Sequence, residues 1–285
     1  MSLSPLDVGS LLKRYGLRPD KRLGQNFLVD ETALQQVVKA AEVKSEDTVL
    51  EIGPGLGSLT RWLADQARQV IAVEIDGRFI PPLKEVLSSF KNIRIIQGDI
   101  LSLNPAELIE ERANNASGYL VVANIPYYIT SALFRHLLEA NKKPDRLVLT
   151  VQREVAERIC AVPGDMSLLA LSVQVYGQPK VVASIPAGAF YPPPKVDSAV
   201  VRVELYSEPQ IPASELPAFF RLVKAGFSQK RKTLRNALSG GMREETSLTA
   251  QILQAAGIDP MRRAETLSLE EWGNLVAAFQ SEPNG

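Results

Sequence analysis

The chain predicts an α/β fold: a Rossmann-like, mostly parallel sheet with an antiparallel addition, followed by a small all-α C-terminal domain. Three observations predict it. Short Val/Ile/Leu runs without strict alternation are separated by stretches of helical spacing, as expected of strands covered on both faces by crossover helices. A glycine-rich turn follows the first of these runs. After the Pro-rich stretch Glu208–Pro212 no strand-like run remains, only the three-to-four-residue periodicity of helices.

In chain order, the predicted strands are Thr48–Ile52 (TVLEI), Val70–Glu74, Ile93–Gln97, Tyr119–Asn124 and Arg146–Val151. Helical spacing falls between them at Leu59–Ala67, Pro82–Ser88 and Ser131–Glu139, and Asp30 reads as the cap of an earlier helix. Pro179–Ile185 and Ser198–Tyr206 are β-like and separated by Ala189–Lys195 (AFYPPPK), which suits an antiparallel pair added to the sheet. The last third predicts helices over Leu216–Phe227, Arg231–Leu238, Leu248–Ala256 and Leu269–Phe279. Gly257 fits a C-cap, and Ser268 an N-cap with Glu271 three residues on. The expected boundary lies at residue 208, giving domains 1–208 and 209–285.

Composition narrows the chemistry. No apolar run approaches the ~20 residues a membrane helix needs, and the first residues carry no leader pattern, so a cytoplasmic protein with no membrane partner is expected. Cys160 and His136 are each single in the sequence. A disulfide is excluded, no metal is expected, and catalysis must proceed without a His- or Cys-based nucleophile system. His136 reads as an ordinary helical His. The 32 basic and 32 acidic residues balance, which counts mildly against nucleic-acid binding but leaves room for local basic faces.

The first predicted strand runs into Glu51-Ile52-Gly53-Pro54-Gly55-Leu56-Gly57-Ser58 and then a helix. Glycines at this spacing let the backbone turn tightly and approach a ligand. Glu74 ends the second strand, where a carboxylate can accept from ribose hydroxyls. Asp99 follows the third strand at the same sheet edge; it can accept from an adenine amine or merely cap the next helical turn. These features point to a nucleotide-type cofactor and leave NAD open.

The fourth strand ends in Asn124-Ile125-Pro126-Tyr127-Tyr128. That stretch resembles the short signature of amino-methyltransferases, in the form used by enzymes that methylate adenine N6. An aromatic amine is a poor nucleophile because its lone pair is delocalised. Acceptors aimed at its N–H bonds, namely the Asn124 side-chain oxygen and a nearby carbonyl, favour the pyramidal amine that attacks, while Tyr127 offers a stacking face. Such a site works by orientation and by well-placed acceptors. Phe190 is the candidate second aromatic face, with core packing its competing role; Asn124 as a simple turn residue before proline is the other bland possibility.

The motifs Lys21–Leu28 (KRLGQNFL), Glu51–Gly57, Asn124–Tyr127, Phe190–Ser198 (FYPPPKVDS) and Phe227–Leu238 (FSQKRKTLRNAL) occur in this order. Together they resemble the ribosomal small-subunit adenine dimethyltransferase family over nearly the whole chain. The resemblance implies S-adenosylmethionine as cofactor. It implies as substrate two adjacent adenosines in the 3′-terminal hairpin loop of 16S rRNA, within an immature 30S subunit. It places Asn26, Leu28 and Gly53 around the cofactor, Glu74 on its ribose, Asp99 on its adenine, and Asn124 between cofactor and target amine. A monomer is expected. Lys230, Arg231, Lys232 and Arg235 form an acid-free basic run suited to phosphates, although a solvated face is the default for such a run. Lys13, Arg14, Arg18, Lys21 and Arg22 make a second cluster. A nicotinamide oxidoreductase, a non-catalytic RNA-binding assembly factor and a large-subunit methyltransferase are the rival readings.

Overall fold

The computed structural model describes residues 3–110 and 118–281. Its strands are β1 (Phe27–Leu28), β2 (Thr48–Ile52), β3 (Gln69–Glu74), β4 (Ile93–Gln97), β5 (Leu120–Asn124), β6 (Arg146–Gln152), β7 (Gly177–Ile185), β8 (Phe190–Tyr191) and β9 (Ser198–Leu205). Its helices are α1 (Val8–Arg14), α2 (Glu31–Ala41), α3 (Ser58–Gln66), α4 (Ile80–Val86), α5 (Pro105–Glu110), α6 (Thr130–Leu138), α7 (Arg153–Ile159), α8 (Leu168–Gln174), α9 (Leu216–Gly226), α10 (Leu234–Met242), α11 (Thr246–Ala255) and α12 (Leu269–Ser281).

Seven strands form one sheet in the order β4-β3-β2-β5-β6-β9-β7, with β1 and β8 as a separate two-stranded piece. Strands β4, β3, β2, β5 and β6 run parallel and β9 antiparallel to β6. The order reverses between β2 and β5, so the carboxyl ends of these two strands open a crevice where open α/β sheets bind ligands. Burial follows from the sequence: β2 is buried at all five positions and β3 at its last five.

Helix α2 is fixed at both ends. Asp30 accepts from the Ala33 N–H at 2.8 Å. At its other end Arg202 and Arg146 donate to the Ala40 and Ala41 carbonyls at 3.1 and 2.7 Å, and both guanidiniums pair with Glu42 and Glu204. Cations on the last carbonyls complement the helix dipole. The apolar face of α2 meets Val122, Val148 and Val200 of the sheet.

The chain divides into two compact units, Met1–Ala156 with Pro179–Leu205, and Glu157–Gln178 with Tyr206–Gly285. A single boundary at residue 208 is therefore corrected: the α8 region belongs with the C-terminal helices. The Tyr176 ring stacks on Phe220 at 6.4 Å, and Tyr206 N–H donates to the Tyr176 carbonyl at 2.9 Å. Within this unit the Ser268–Glu271 capping box forms in both directions, at 3.1 and 2.8 Å. Gly257 ends α11 at φ +73°. The helix expected over Arg231–Leu238 begins at Leu234. Before it, Lys232 N–H closes a turn on Gln229, and the Leu234 and Arg235 N–H groups donate to the Arg262 and Pro260 carbonyls.

Candidate active site

The turn after β2 holds Gly53, Gly55 and Gly57 at φ +69°, +57° and +88°. Two of these need glycine for distinct reasons. A Cβ on Gly55 would lie 2.8 Å from two atoms of the Phe27 ring, so a side chain there would displace the segment over the cleft. At Gly53 the nearest atom to a Cβ is the Asn124 carbonyl oxygen, 3.9 Å away, so the omitted side chain leaves room for a ligand. The Gly53 N–H donates to Val73 at 2.9 Å and ties the turn to β3.

One cleft at this sheet edge is lined by Leu23–Leu28, Glu51, Gly53–Gly55, Ser58, Leu59, Glu74, Ile75, Phe79, Asn124 and Pro126. It gathers five of the six expected cofactor residues: Asn26, Leu28, Gly53, Glu74 and Asn124. Asp99 is outside this lining. It is exposed, and its Oδ1 accepts from Leu101 N–H at 3.0 Å as the cap of a short 3-10 turn.

Both oxygens of Glu74 are held from the backbone. Gly55 N–H donates to Oε2 at 2.9 Å and Asp76 N–H to Oε1 at 2.8 Å. Burial pushes the Glu74 carboxyl up, against those two N–H groups, which lower it. Beyond it, Gln25 Nε2 donates to Asp76 Oδ2 at 2.9 Å while its Oε1 accepts from Asp20 N–H at 2.7 Å. The Arg78 guanidinium holds Asp76 well below the usual range, at about 2.

Glu51 is a cleft-lining residue absent from the sequence-based expectations. It is 1% exposed near the carboxyl end of β2, lines the cleft, and its Oε2 has no hydrogen-bond partner among the described residues. Burial pushes its carboxyl up to about 8; the neighbouring Thr60 lowers it and the charge on Glu74 raises it further. A lone acid inside an otherwise apolar strand was the available signal, since a carboxylate is not buried without a partner to meet.

Asn124 ends β5 with its Nδ2 donating to the Asn26 carbonyl at 3.0 Å. That bond fixes the amide's sense: the nitrogen is committed to the covering segment, and Oδ1 remains as an acceptor. Tyr127, half-buried, is anchored by its hydroxyl to Ser198 Oγ at 2.9 Å and is not part of the cleft lining. Phe190 is 4% exposed and packs with Leu28, Ala189 and Val200. As placed, its ring is a core group, the alternative the sequence had left open. Lys230, Arg231 and Lys232 lie exposed on the turn before α10, and Arg235 is half-buried on its first turn. In the N-terminal cluster Arg14 pairs with Glu85 and Arg22 with Asp20, while Lys13 and Arg18 are exposed; the Lys21 side chain lies outside the described residues.

A parallel sheet with its order reversed beside a glycine turn, an acid at the end of β3 and an Asn-Ile-Pro-Tyr corner at the end of β5 define a Rossmann-like, S-adenosylmethionine-dependent methyltransferase. The model of one family, ribosomal RNA adenine dimethylase, matches residues 17–275. The chain belongs to that family, and it is a methyltransferase acting on adenine in rRNA. A ribosomal RNA small subunit methyltransferase A of Dehalococcoides mccartyi is 46% identical, over 96% of this chain and 92% of that protein. One from Alkaliphilus oremlandii is 41% identical, over 96% of each. Among solved structures, a dimethyladenosine transferase from Plasmodium falciparum matches with TM-score 0.74 at 26% identity, over 89% of this chain and 97% of that one. The 23S rRNA methyltransferase ErmE matches with TM-score 0.71 at 30% identity, over 90% and 100%.

Proposed function

We propose that this enzyme converts two adjacent adenosines in the 3′-terminal hairpin loop of 16S rRNA to N6,N6-dimethyladenosine. In this proposal it acts as a cytoplasmic monomer on an immature 30S subunit. The observation that carries the reading is the oriented carboxamide of Asn124, its nitrogen bonded to Asn26 and its oxygen left to accept, in a cleft shared with Glu51, Gly53 and Glu74.

The cleft fits S-adenosylmethionine on its own chemistry. The unpartnered buried Oε2 of Glu51 suits the ammonium of an amino-acid moiety, Glu74 suits a ribose, and Gly53 leaves space open beside the Asn124 carbonyl. When bound, the cofactor supplies an electrophilic methyl group on a sulfonium. Asn124 Oδ1 then accepts one N–H of the target amine, which frees the nitrogen lone pair from the ring and aims it. Tyr127, its hydroxyl pinned to Ser198, offers a ring at a fixed angle to the base. The methylated nitrogen is acidic and releases its proton to solvent, so no strong base is required. In this reading Lys230, Arg231, Lys232 and Arg235 hold phosphates, and Asp99 and Phe190 border the adenines of cofactor and target.

The test is methyl transfer from labelled cofactor to undermethylated 30S and 50S particles, followed by nucleoside analysis. Dimethyladenosine is expected in small-subunit RNA alone. Asn124→Ala should cut the rate by about 100-fold or more while S-adenosylhomocysteine binding changes little. Label in 50S RNA would reassign the substrate, and an Asn124→Ala enzyme at full rate would remove that residue from the chemistry.

A further inference from the structure

Helix α1 has no independent means of staying folded. It is seven residues long, and a helix that short is not stable alone in water, because so few hydrogen bonds do not offset the cost of nucleation. It is therefore helical only where it is docked, and its seat is the outer side of the cleft. Val8, Leu11 and Leu12, on one face of α1, are buried in an apolar cluster with Phe27, Leu56 and Phe79. Those three partners belong to three different walls. Phe27 is on the covering segment, Leu56 on the glycine turn and Phe79 on the turn after β3.

Two of the partners reach the cleft itself. Phe27 and Phe79 line it, with their rings edge to face at 5.3 Å. The Phe27 ring also lies against Gly55, whose N–H donates to Glu74 at 2.9 Å. What packs behind Phe27 thus sets how the covering segment rests on the glycine turn.

Polar contacts fix α1 at both ends. Asp7 caps its first turn, accepting from the Ser10 N–H at 2.9 Å, and Arg61 of α3 donates to the Ser4 carbonyl at 2.9 Å. At the other end Arg14 and the Tyr15 hydroxyl donate to the two oxygens of Glu85 on α4. Gly16, at φ +62°, then turns the chain, and the Leu17 N–H donates to the Leu12 carbonyl at 2.8 Å. Arg14 and Glu85 are exposed, so their pairing adds little free energy and mainly sets the register of the helix. The apolar face carries the docking.

We propose that α1 is a strap whose docking shapes the cofactor cleft from behind, so that docking and cofactor binding support each other. Leu11 and Leu12 are its positioning residues, and neither lines the cleft. The proposal rests on this cleft being the S-adenosylmethionine site. Linkage makes the effect reciprocal: the factor that docking adds to cofactor affinity is the factor that bound cofactor adds to docking.

The test uses the full chain, S-adenosylhomocysteine and trypsin. A helical bond must open locally before it is cut, so cleavage after Lys13 and Arg14 reports undocking of α1. In wild type, saturating S-adenosylhomocysteine should slow that cleavage about 10-fold and leave cutting after Lys230 and Arg231, in the other unit, unchanged. Leu11→Ala and Leu12→Ala should each raise the Kd for S-adenosylhomocysteine about 10-fold. They should raise KM for S-adenosylmethionine alike and keep kcat once it is saturating. Leu11→Met and Leu12→Met, which nearly conserve volume, should bind like wild type. Wild-type cleavage in α1 that ignores the ligand would overturn the strap, whether or not the alanine variants fold. So would alanine variants with unchanged affinity, or with kcat lost in step with it, as a general loss of fold would produce. The cofactor reading fails separately. Glu74→Gln with undiminished S-adenosylhomocysteine binding would take the cofactor out of this cleft, and the strap with it. Weakened binding in Glu74→Gln beside unchanged alanine variants would sink the strap alone.

Discussion

Glu51 shows how one side chain couples the stability of this fold to its ligand. Buried at 1% exposure with one oxygen unpartnered, its carboxyl is pushed up to about 8 from an ordinary 4.5. The unfolded chain ionises this group near its ordinary value, while the folded, cofactor-free protein keeps it neutral to about pH 8. The Glu51 contribution to stability is therefore full below the unfolded pKa. It falls as pH rises through the window from about 4.5 to about 8, by about 1.4 kcal/mol per unit. Glu51→Gln removes that proton uptake. The variant should melt with a flatter pH dependence between pH 5 and 8 and be the more stable protein at pH 8, while binding S-adenosylhomocysteine more weakly. Superimposable melting curves would mean that Glu51 is ionised in the fold and has a partner. In the sequence this acid stands inside TVLEI, two residues before the first glycine of the turn. The backbone role of the glycines is explicit in their spacing. The role of Glu51 depends on burial, which only the assembled sheet determines. For the same reason Phe190 could be named from its motif while its placement in the core could not.

At the scale of elements, the cleft depends on a short covering segment that has little secondary structure of its own. Leu23–Leu28 contributes six lining residues, yet only Phe27 and Leu28 are in a strand. What holds it is a relay of hydrogen bonds from Gly55 through Glu74 and Asp76 to Gln25 and Asp20. Gln25 is the link between the segment and the β3 end, and its bond to an ionised carboxylate is of the stronger kind. Gln25→Ala should raise the dissociation constant for S-adenosylhomocysteine about 10-fold, measured by calorimetry, with the melting temperature little changed. Gln25→Glu would set a second carboxylate against Asp76 and should bind worse still at neutral pH, recovering as pH falls. Affinity indifferent to both substitutions would show that the segment is held without Gln25, by β1–β8 pairing and the Asn124–Asn26 bond. The five parallel strands were legible because each is a compact, continuous apolar run set between stretches of helical spacing. The two-residue β1 and β8 were not, since two residues are too short to stand out as a run. The start of α10 was misplaced by three residues because Arg231, Lys232 and Thr233 carry no apolar side chain that would mark where the first helical turn begins. Only the carbonyls of Pro260 and Arg262, distant in sequence, decide where its first N–H groups are bonded.

For the whole molecule, 32 basic residues against 32 acidic ones provide no overall attraction to RNA. The affinity has to come from local charge, and the same logic limits what a sequence shows of domain membership. A linker after residue 208 was visible as proline and acid. The recruitment of Glu157–Gln178 into the helical unit rests on contacts such as Tyr176 with Phe220, which no local pattern announces. That helical unit carries the sharpest electrostatic feature of the chain, Lys230, Arg231 and Lys232 exposed in succession on the turn before α10. None of the three takes part in a salt bridge among the described residues, unlike Arg262 and Arg263 of the same unit. Each phosphate neutralised on a single strand contributes about 0.7 to the slope of log affinity against log salt. Replacing all three by alanine should therefore lower that slope by about 2 and weaken binding most at low salt, while S-adenosylhomocysteine affinity and melting temperature hold. Binding of rRNA fragments titrated across salt concentrations, wild type beside the triple variant, measures this directly. Parallel lines displaced downwards would mean that these side chains shape the turn without touching phosphate. Coincident lines would place the electrostatic contacts on the N-terminal cations, Lys13 and Arg18, which the fold also leaves exposed.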